Sequence, residues 1–236
     1  MEKSSKKEVI EEQLADKAEH EKKKKALESS QNFQVAVVLI IIALLLIALA
    51  VIIIVKNAQN NFKYSNLDFK REYDSQVLFY NTKLLAIDDS GQEAGYISFS
   101  FRNDPRKLSY IPVETSKIYF IKNNVTYVSY ETTNKTEEDS GIASAGLGLF
   151  LRKVNNIDTK SSFNDPSFKN NTSFPYVNCE TNPKNTVIMF INSDETKIIQ
   201  DSQNPNCYKI MFKDSEMLKA AERFELAILE QIKATE

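Results

Sequence analysis

The apolar positions of this chain fall into one unbroken block and a series of short, interrupted runs. From Phe33 to Val55 it reads FQVAVVLIIIALLLIALAVIIIV, 23 residues of which only Gln34 is polar. A helix rises about 1.5 Å per residue and the hydrocarbon core of a bilayer is about 30 Å thick, so about 20 apolar residues suffice to cross it. The block therefore reads as a transmembrane helix, and its Leu, Ile and Val residues make insertion favourable without a partner. It holds no charged residue and no Ser or Thr, which leaves no ion path, proton relay or intramembrane catalytic pair. Ala43, Ala48 and Ala50 form only a poor small-residue dimerisation face. Ala48-Leu49-Ala50 has the small-x-small form of a signal cleavage site. The apolar run continues past it to Val55, and the preceding tail is longer than a signal n-region, so the block reads as an uncleaved signal anchor.

Residues 1–32 are rich in Glu, Lys and Ala, the pattern of a solvated helical tail. Val9, Ile10, Leu14, Ala18 and Leu27 are too few for a packed face, although the tail could dock a cytoplasmic partner. Residues 56–75 are polar and read as a short stalk. From Gln76 onward the period changes to two, with runs broken by Asn, Asp, Pro and Gly. Gln76–Leu85 and Gly95–Arg102 predict a hairpin around Asp88-Asp89-Ser90-Gly91, with Ile97, Phe99 and Phe101 on one face. Ser109–Val113, Lys117–Lys122 and Val125–Thr132 predict further strands. Asp139-Ser140 is positioned to cap a helix over Gly141–Val154, although Gly146 and Gly148 weaken it.

Thr186–Asn192 and Thr196–Asp201 predict a second hairpin around Ser193-Asp194-Glu195, and Cys207–Phe212 another strand. The clearest amphipathic helix closes the chain from Ser215 to about Lys233, capped by Asp214 or Ser215. Met217, Leu218, Ala221, Phe224, Ile228 and Ile232 form its stripe. The expected class is α+β: an N-terminal transmembrane helix, then a mostly antiparallel sheet packed by helices. The expected organisation is a charged cytoplasmic tail (1–32), the membrane helix (33–55), a stalk (56–75) and an extracytoplasmic domain (76–236).

Orientation follows from three further features. Lys17 and Lys22–Lys25 precede the block and Lys56, Lys63, Lys70 and Arg71 follow it, a basic bias of one charge towards a cytoplasmic N-terminus. The long segment beyond Val55 can translocate regardless of its charge, whereas exporting the short Lys-rich tail is costly. Cys179 and Cys207 are the only cysteines and both lie beyond the anchor, where an even number reads as a disulfide. A net charge of −2 over 236 residues gives no field for nucleic acid. The sequons at Asn124, Asn134, Asn170 and Asn171 fit an exported domain.

For chemistry the telling feature is a missing one. The sole histidine is His20, in the tail, so the exported part holds no Ser-His-Asp, Cys-His or HExxH arrangement and no His proton shuttle. P-loop, GxGxxG and GxSxG strings are absent as well. The candidate carboxylate clusters are Asp88-Asp89 and Glu137-Glu138-Asp139, in contexts where acids commonly cap turns and helices. EF-hand spacing is absent, which leaves calcium binding unsupported, and no cofactor or metal is expected. Arg102, Arg106 and Lys107 surround an Asn-Asp-Pro turn that could bind an anion or be held by Asp104.

The strings FRNDPRKL with IPV (101–113) and CYKI with AAERFELAILEQI (207–232) resemble those of uncharacterised single-pass membrane proteins of small-genome archaea, whose Lys-, Asn- and Ile-heavy usage this chain shares. The resemblance implies location and lineage, and no activity. The sequence thus points to a non-enzymatic envelope protein with a structural, adhesion or assembly role. Its partners would be the lipid bilayer and other envelope proteins or glycans. Two alternatives remain: a type IV pilin-like subunit processed at Lys25-Ala26, and a carbohydrate-active enzyme working through carboxylates alone. Against the first, the apolar block starts well after Ala26 and Glu28 is not at the usual fifth position.

Overall fold

The computed structural model describes residues 37–87, 92–115, 117–122, 124–131, 138–170 and 173–234. The chain divides into two units, Met1–Ala58 and Gln59–Glu236. Helix α1 runs Val37–Asn60, almost all of it in the first unit, 24 residues long, with a mean hydropathy of 3.8 and none of its most apolar window buried. It is long and apolar enough to cross a membrane. The tail 1–32 and the residues 33–36 of the expected span lie outside the described residues.

The second unit is α+β, with two sheets instead of one. The first is an antiparallel meander of β1 (Asn61–Tyr64), β2 (Leu67–Asp74), β3 (Val77–Ile87) and β4 (Glu93–Phe101). The expected stalk is corrected here, because residues 61–74 are its first two strands. Polar composition concealed an alternation that sends Leu67 and Phe69 into the core. Two-residue turns at Ser65-Asn66 and Ser75-Gln76, all four with positive φ, reverse the chain in the sense that matches strand twist. The expected β3–β4 hairpin is present, with Phe99 and Phe101 buried and Ile97 half-buried.

The second sheet has the order β5-β9-β10-β8-β6-β7, from β5 (Val113–Glu114), β6 (Thr126–Tyr130), β7 (Thr159–Phe163), β8 (Val187–Asn192), β9 (Lys197–Gln200) and β10 (Cys207–Phe212). All its pairings are parallel except β9 with β10, so the expectation of a mostly antiparallel sheet fails here. Helix α2 (Glu138–Asn155) makes the crossover from β6 to the parallel β7. It begins before the expected Gly141. β8 is central, and its Val187–Phe190 run is buried throughout, as parallel strands covered on both faces require.

The expected β8–β9 hairpin is also corrected, since β10 inserts between the two. The tighter reversal lies between β9 and β10, where Asp201 Oδ1 accepts the amides of Gln203 and Asn204 and Oδ2 pairs with Lys209 Nζ at 2.6 Å. Lys117–Lys122 forms no strand. Its backbone is satisfied by side chains: Ile118 N donates to Gln231 Oε1, Tyr119 N to the Tyr208 hydroxyl and Ile121 N to Thr186 Oγ1. Ser109–Val113 is mostly turn, following a 3-10 turn over Pro105–Lys107.

Helix α3 (Met217–Lys233) carries the predicted stripe, of which Met217, Ala221, Phe224 and Ile228 are buried. Burial extends further round, to Ala220, Glu222, Glu225, Leu226 and Leu229, because the helices lie between the sheets. Phe99 of β4 meets Phe150 of α2 at 5.2 Å, and Tyr208 of β10 meets Phe224 of α3 at 5.6 Å. No side chain caps α3 in the expected manner. Instead its leading Glu216 accepts from Tyr110 and Thr196 hydroxyls at 2.6 Å each and from Lys219, tying the helix to two loops.

Those bonds, Thr196 first, hold the Glu216 carboxyl down to about 2. A depressed folded value means the stabilisation is present above the unfolded value near 4.5 and is lost as pH falls towards 2. Glu216→Ala is expected to cost about 1 kcal/mol at pH 7, discounted for partial solvent screening, and less in acid. Urea unfolding at the two pH values measures it.

Candidate functional site

Among the described residues, the feature that departs most from ordinary packing is a slot of about 180 Å³ between β4, α2 and α3. Its walls are apolar, including Phe99, Ile142, Phe150 and Leu218. Two carboxylic acids on α3 line it, Glu222 at 5% and Glu225 at 7% exposure. They are three apart, so they share a helix face.

The two acids are treated very differently. Glu222 Oε1 accepts the backbone amide of Arg102 at 2.5 Å, and Oε2 accepts the amide and side-chain nitrogen of Asn103 at 2.9 and 2.8 Å. These donors sit where β4 ends and the Asn-Asp-Pro turn begins, so Glu222 pins that turn to α3. Burial raises the Glu222 carboxyl, against those hydrogen bonds and the Arg102 charge. Glu225 accepts no hydrogen bond from any described residue. Burial first, then the Glu222 charge, raise its carboxyl well above the ordinary value. Its carboxyl opens on the slot, and perturbed acids in a cleft cluster at sites that take a ligand.

Two cations also line the slot, and both are engaged. The Arg102 guanidinium stands 6.0 Å over the Phe79 ring, and Lys153 Nζ donates to Ser98 O at 3.3 Å. Gly146 of α2 borders the cavity, and a Cβ there would meet nothing within 4 Å.

The turn read as a possible anion site is organised from within. Asp104 Oδ1 accepts from Arg106 Nε at 3.0 Å and Oδ2 from Nη2 at 2.7 Å, while the Arg106 guanidinium lies 3.8 Å over the Phe62 ring. Burial raises the Asp104 carboxyl, but the bonds and charge of Arg106 outweigh it and hold it below the usual range. The geometry thus supplies a partner for the loop-holding role of Arg106. Arg102 is committed to the slot through its backbone, and Lys107 is exposed.

Asp88, Asp89 and Glu137 lie outside the described residues, and of Glu138 and Asp139 only the backbone is described, opening α2. Asn134 and Asn171 also fall outside. Asn124 is exposed with Nδ2 donating to Lys184 O at 2.9 Å, and Asn170 is exposed in a turn. Among the described residues no group of three His, Cys, Asp or Glu is placed to hold a metal. Cys179 and Cys207 are joined in a buried disulfide with Cα atoms 5.5 Å apart, packed with Val177, Val187 and Met189. That bridge staples the start of β10 to the turn ahead of β8.

Glu222 and Glu225 were not among the residues singled out from sequence. In an amphipathic helix rich in Glu and Lys, acids off the apolar stripe read as solvated. Only β4 of the first sheet and helix α2, packed over that face, make them buried. No family model, curated protein or solved structure matches the chain.

Proposed function

We propose that this chain is a single-pass envelope protein in which α1 anchors an extracytoplasmic α+β domain serving a non-enzymatic binding or assembly role. The observation that carries this reading is α1 itself, 24 residues with a mean hydropathy of 3.8 and no buried residue in its most apolar window. Exposing that surface to water would cost several kcal/mol for every few side chains, whereas in lipid it is at rest. The buried disulfide supports an oxidising compartment for the domain. With the Lys-rich tail inside, the domain faces outward and meets other envelope proteins or glycans.

Carbonate extraction, protease treatment of intact cells and thiol labelling test this together. The chain is expected to stay in the membrane pellet at high pH. The domain is expected to be cleaved from outside, and Cys179 and Cys207 to resist maleimide until a reductant is added. Release into the soluble fraction, or thiols that react from the cytosolic side without reductant, overturns the proposal.

A further inference from the structure

We infer that the slot between β4, α2 and α3 is a binding site for a primary alkylammonium group, its aliphatic chain against Phe99, Ile142, Phe150 and Leu218 and its nitrogen on Glu225 and Glu222. The inference goes beyond the envelope role and holds whichever side of the membrane the domain occupies. It starts from Glu225, more than nine-tenths buried, lining the cavity and accepting no hydrogen bond from any described residue.

Charge decides which ligand completes the site. Glu222 already accepts three bonds from Arg102 and Asn103, whereas Glu225 accepts none from any described residue, so Glu225 is the acid with acceptor capacity left. An ammonium supplies donors for it and, once seated, a charge that favours its ionised form. A metal ion does not suit, since hard cations want six or more oxygens and only two carboxylates line the slot, one of them already taken by Arg102 and Asn103. A purely apolar guest would leave Glu225 as unpartnered as before.

Shape and donor number agree with an ammonium. A cavity of about 150 Å³ holds benzene, so one of about 180 Å³ holds a chain of four or five heavy atoms. An ammonium has three donors. Glu225 offers a free carboxylate, and Glu222 Oε1 accepts only one bond, from Arg102, leaving a second lone-pair direction. The chemistry is shared by a free aliphatic amine and by the lysine side chain of a partner.

Binding also moves a proton. Burial and the Glu222 charge raise the Glu225 carboxyl, so a cation seated there favours loss of its proton, and affinity rises with pH. Glu222 on α3, Arg102 at the end of β4 and Lys153 on α2 are the charged groups facing it from the packed elements.

The experiment is calorimetric titration of the full chain in detergent micelles, against matched micelle blanks. The probes are n-butylamine, its neutral isostere 1-butanol, and an acetylated, amidated lysine peptide. The amine is expected to bind at least tenfold tighter than the alcohol, with proton release visible as a buffer-dependent heat. Glu225→Gln is expected to weaken amine binding tenfold or more while leaving the alcohol unchanged. Gly146→Leu, which adds a side chain where a Cβ meets open space, is expected to abolish both. Circular dichroism establishes that each variant is folded. Tighter binding of the peptide than of butylamine supports the site with a lysine side chain as its source, and the reverse order supports it with a free amine. The inference is overturned by equal affinity for amine and alcohol, by amine binding unchanged in Glu225→Gln, by binding that survives Gly146→Leu, or by no amine binding in the wild type.

Discussion

Replacing Cys179 and Cys207 together by alanine is expected to lower the unfolding free energy by about 3.6 kcal/mol. The bridge closes 28 residues of chain, and denying the unfolded state that loop is worth this much on the chain-entropy estimate. The segment enclosed contains β8 and β9, which sit on either side of β10, so one crosslink restrains three adjacent strands of the second sheet. For a domain of this size the melting temperature should fall by about 7–14 °C. Reductant should bring the wild type down by a similar amount and leave the double variant unmoved. A fall of only a degree or two, or a wild type indifferent to reductant, would show that the sheet holds its order without the bridge.

The reach of sequence reasoning was set by whether a residue's environment is local. β4 was legible because Tyr96-Ile97-Ser98-Phe99 alternates within itself, and α3 because its stripe repeats every three or four residues. The block at α1 was legible because apolar length alone carries the signal. The pairing partner of β8 was not legible. TVIMFIN is compatible with a neighbour on either side, and the Ser193-Asp194-Glu195 turn after it looked adequate for a hairpin. What inserts β10 is the Asp201 turn between β9 and β10, tightened by Lys209 from a strand not yet formed when the chain is read in order. Lys117–Lys122 failed for the same reason. Its alternation is strand-like, but Gln231, Tyr208 and Thr186 take its amides, from residues 65 to 113 positions away.

The same limit concealed the slot. Arg102 and Asn103 drew notice as an exposed turn, and their real partner is Glu222, some 120 residues on. No local pattern distinguishes that glutamate from the half-buried Glu216 and Glu230 of the same helix. A weaker sign was present: Ala220, Leu226 and Leu229 extend the apolar arc of α3 beyond one face, as in a helix covered on two sides.

Glu222 and Glu225 should therefore answer removal with opposite signs. Glu222→Ala strips the acceptor from two backbone amides and the Asn103 side chain at a partly buried junction. With each orphaned donor costing about 1–3 kcal/mol, a loss of about 3–5 kcal/mol at pH 7 is expected. Glu225→Leu removes a buried acid that has no donor and replaces it with a side chain suited to the walls, so stability should rise by about 1–3 kcal/mol. The pH dependence separates this from simple packing. The folded value of Glu225 is raised above the unfolded one, so its contribution is neutral below about 4.5 and becomes destabilising as pH climbs towards the folded value. Glu222, Arg102 and Lys153 face it in wild type and variant alike and largely cancel in the comparison. Urea unfolding should then show the gain at pH 7 to 8 shrinking to little more than the leucine packing at pH 4. An undiminished gain in acid would mean that Glu225 is ionised in the fold and already has a partner.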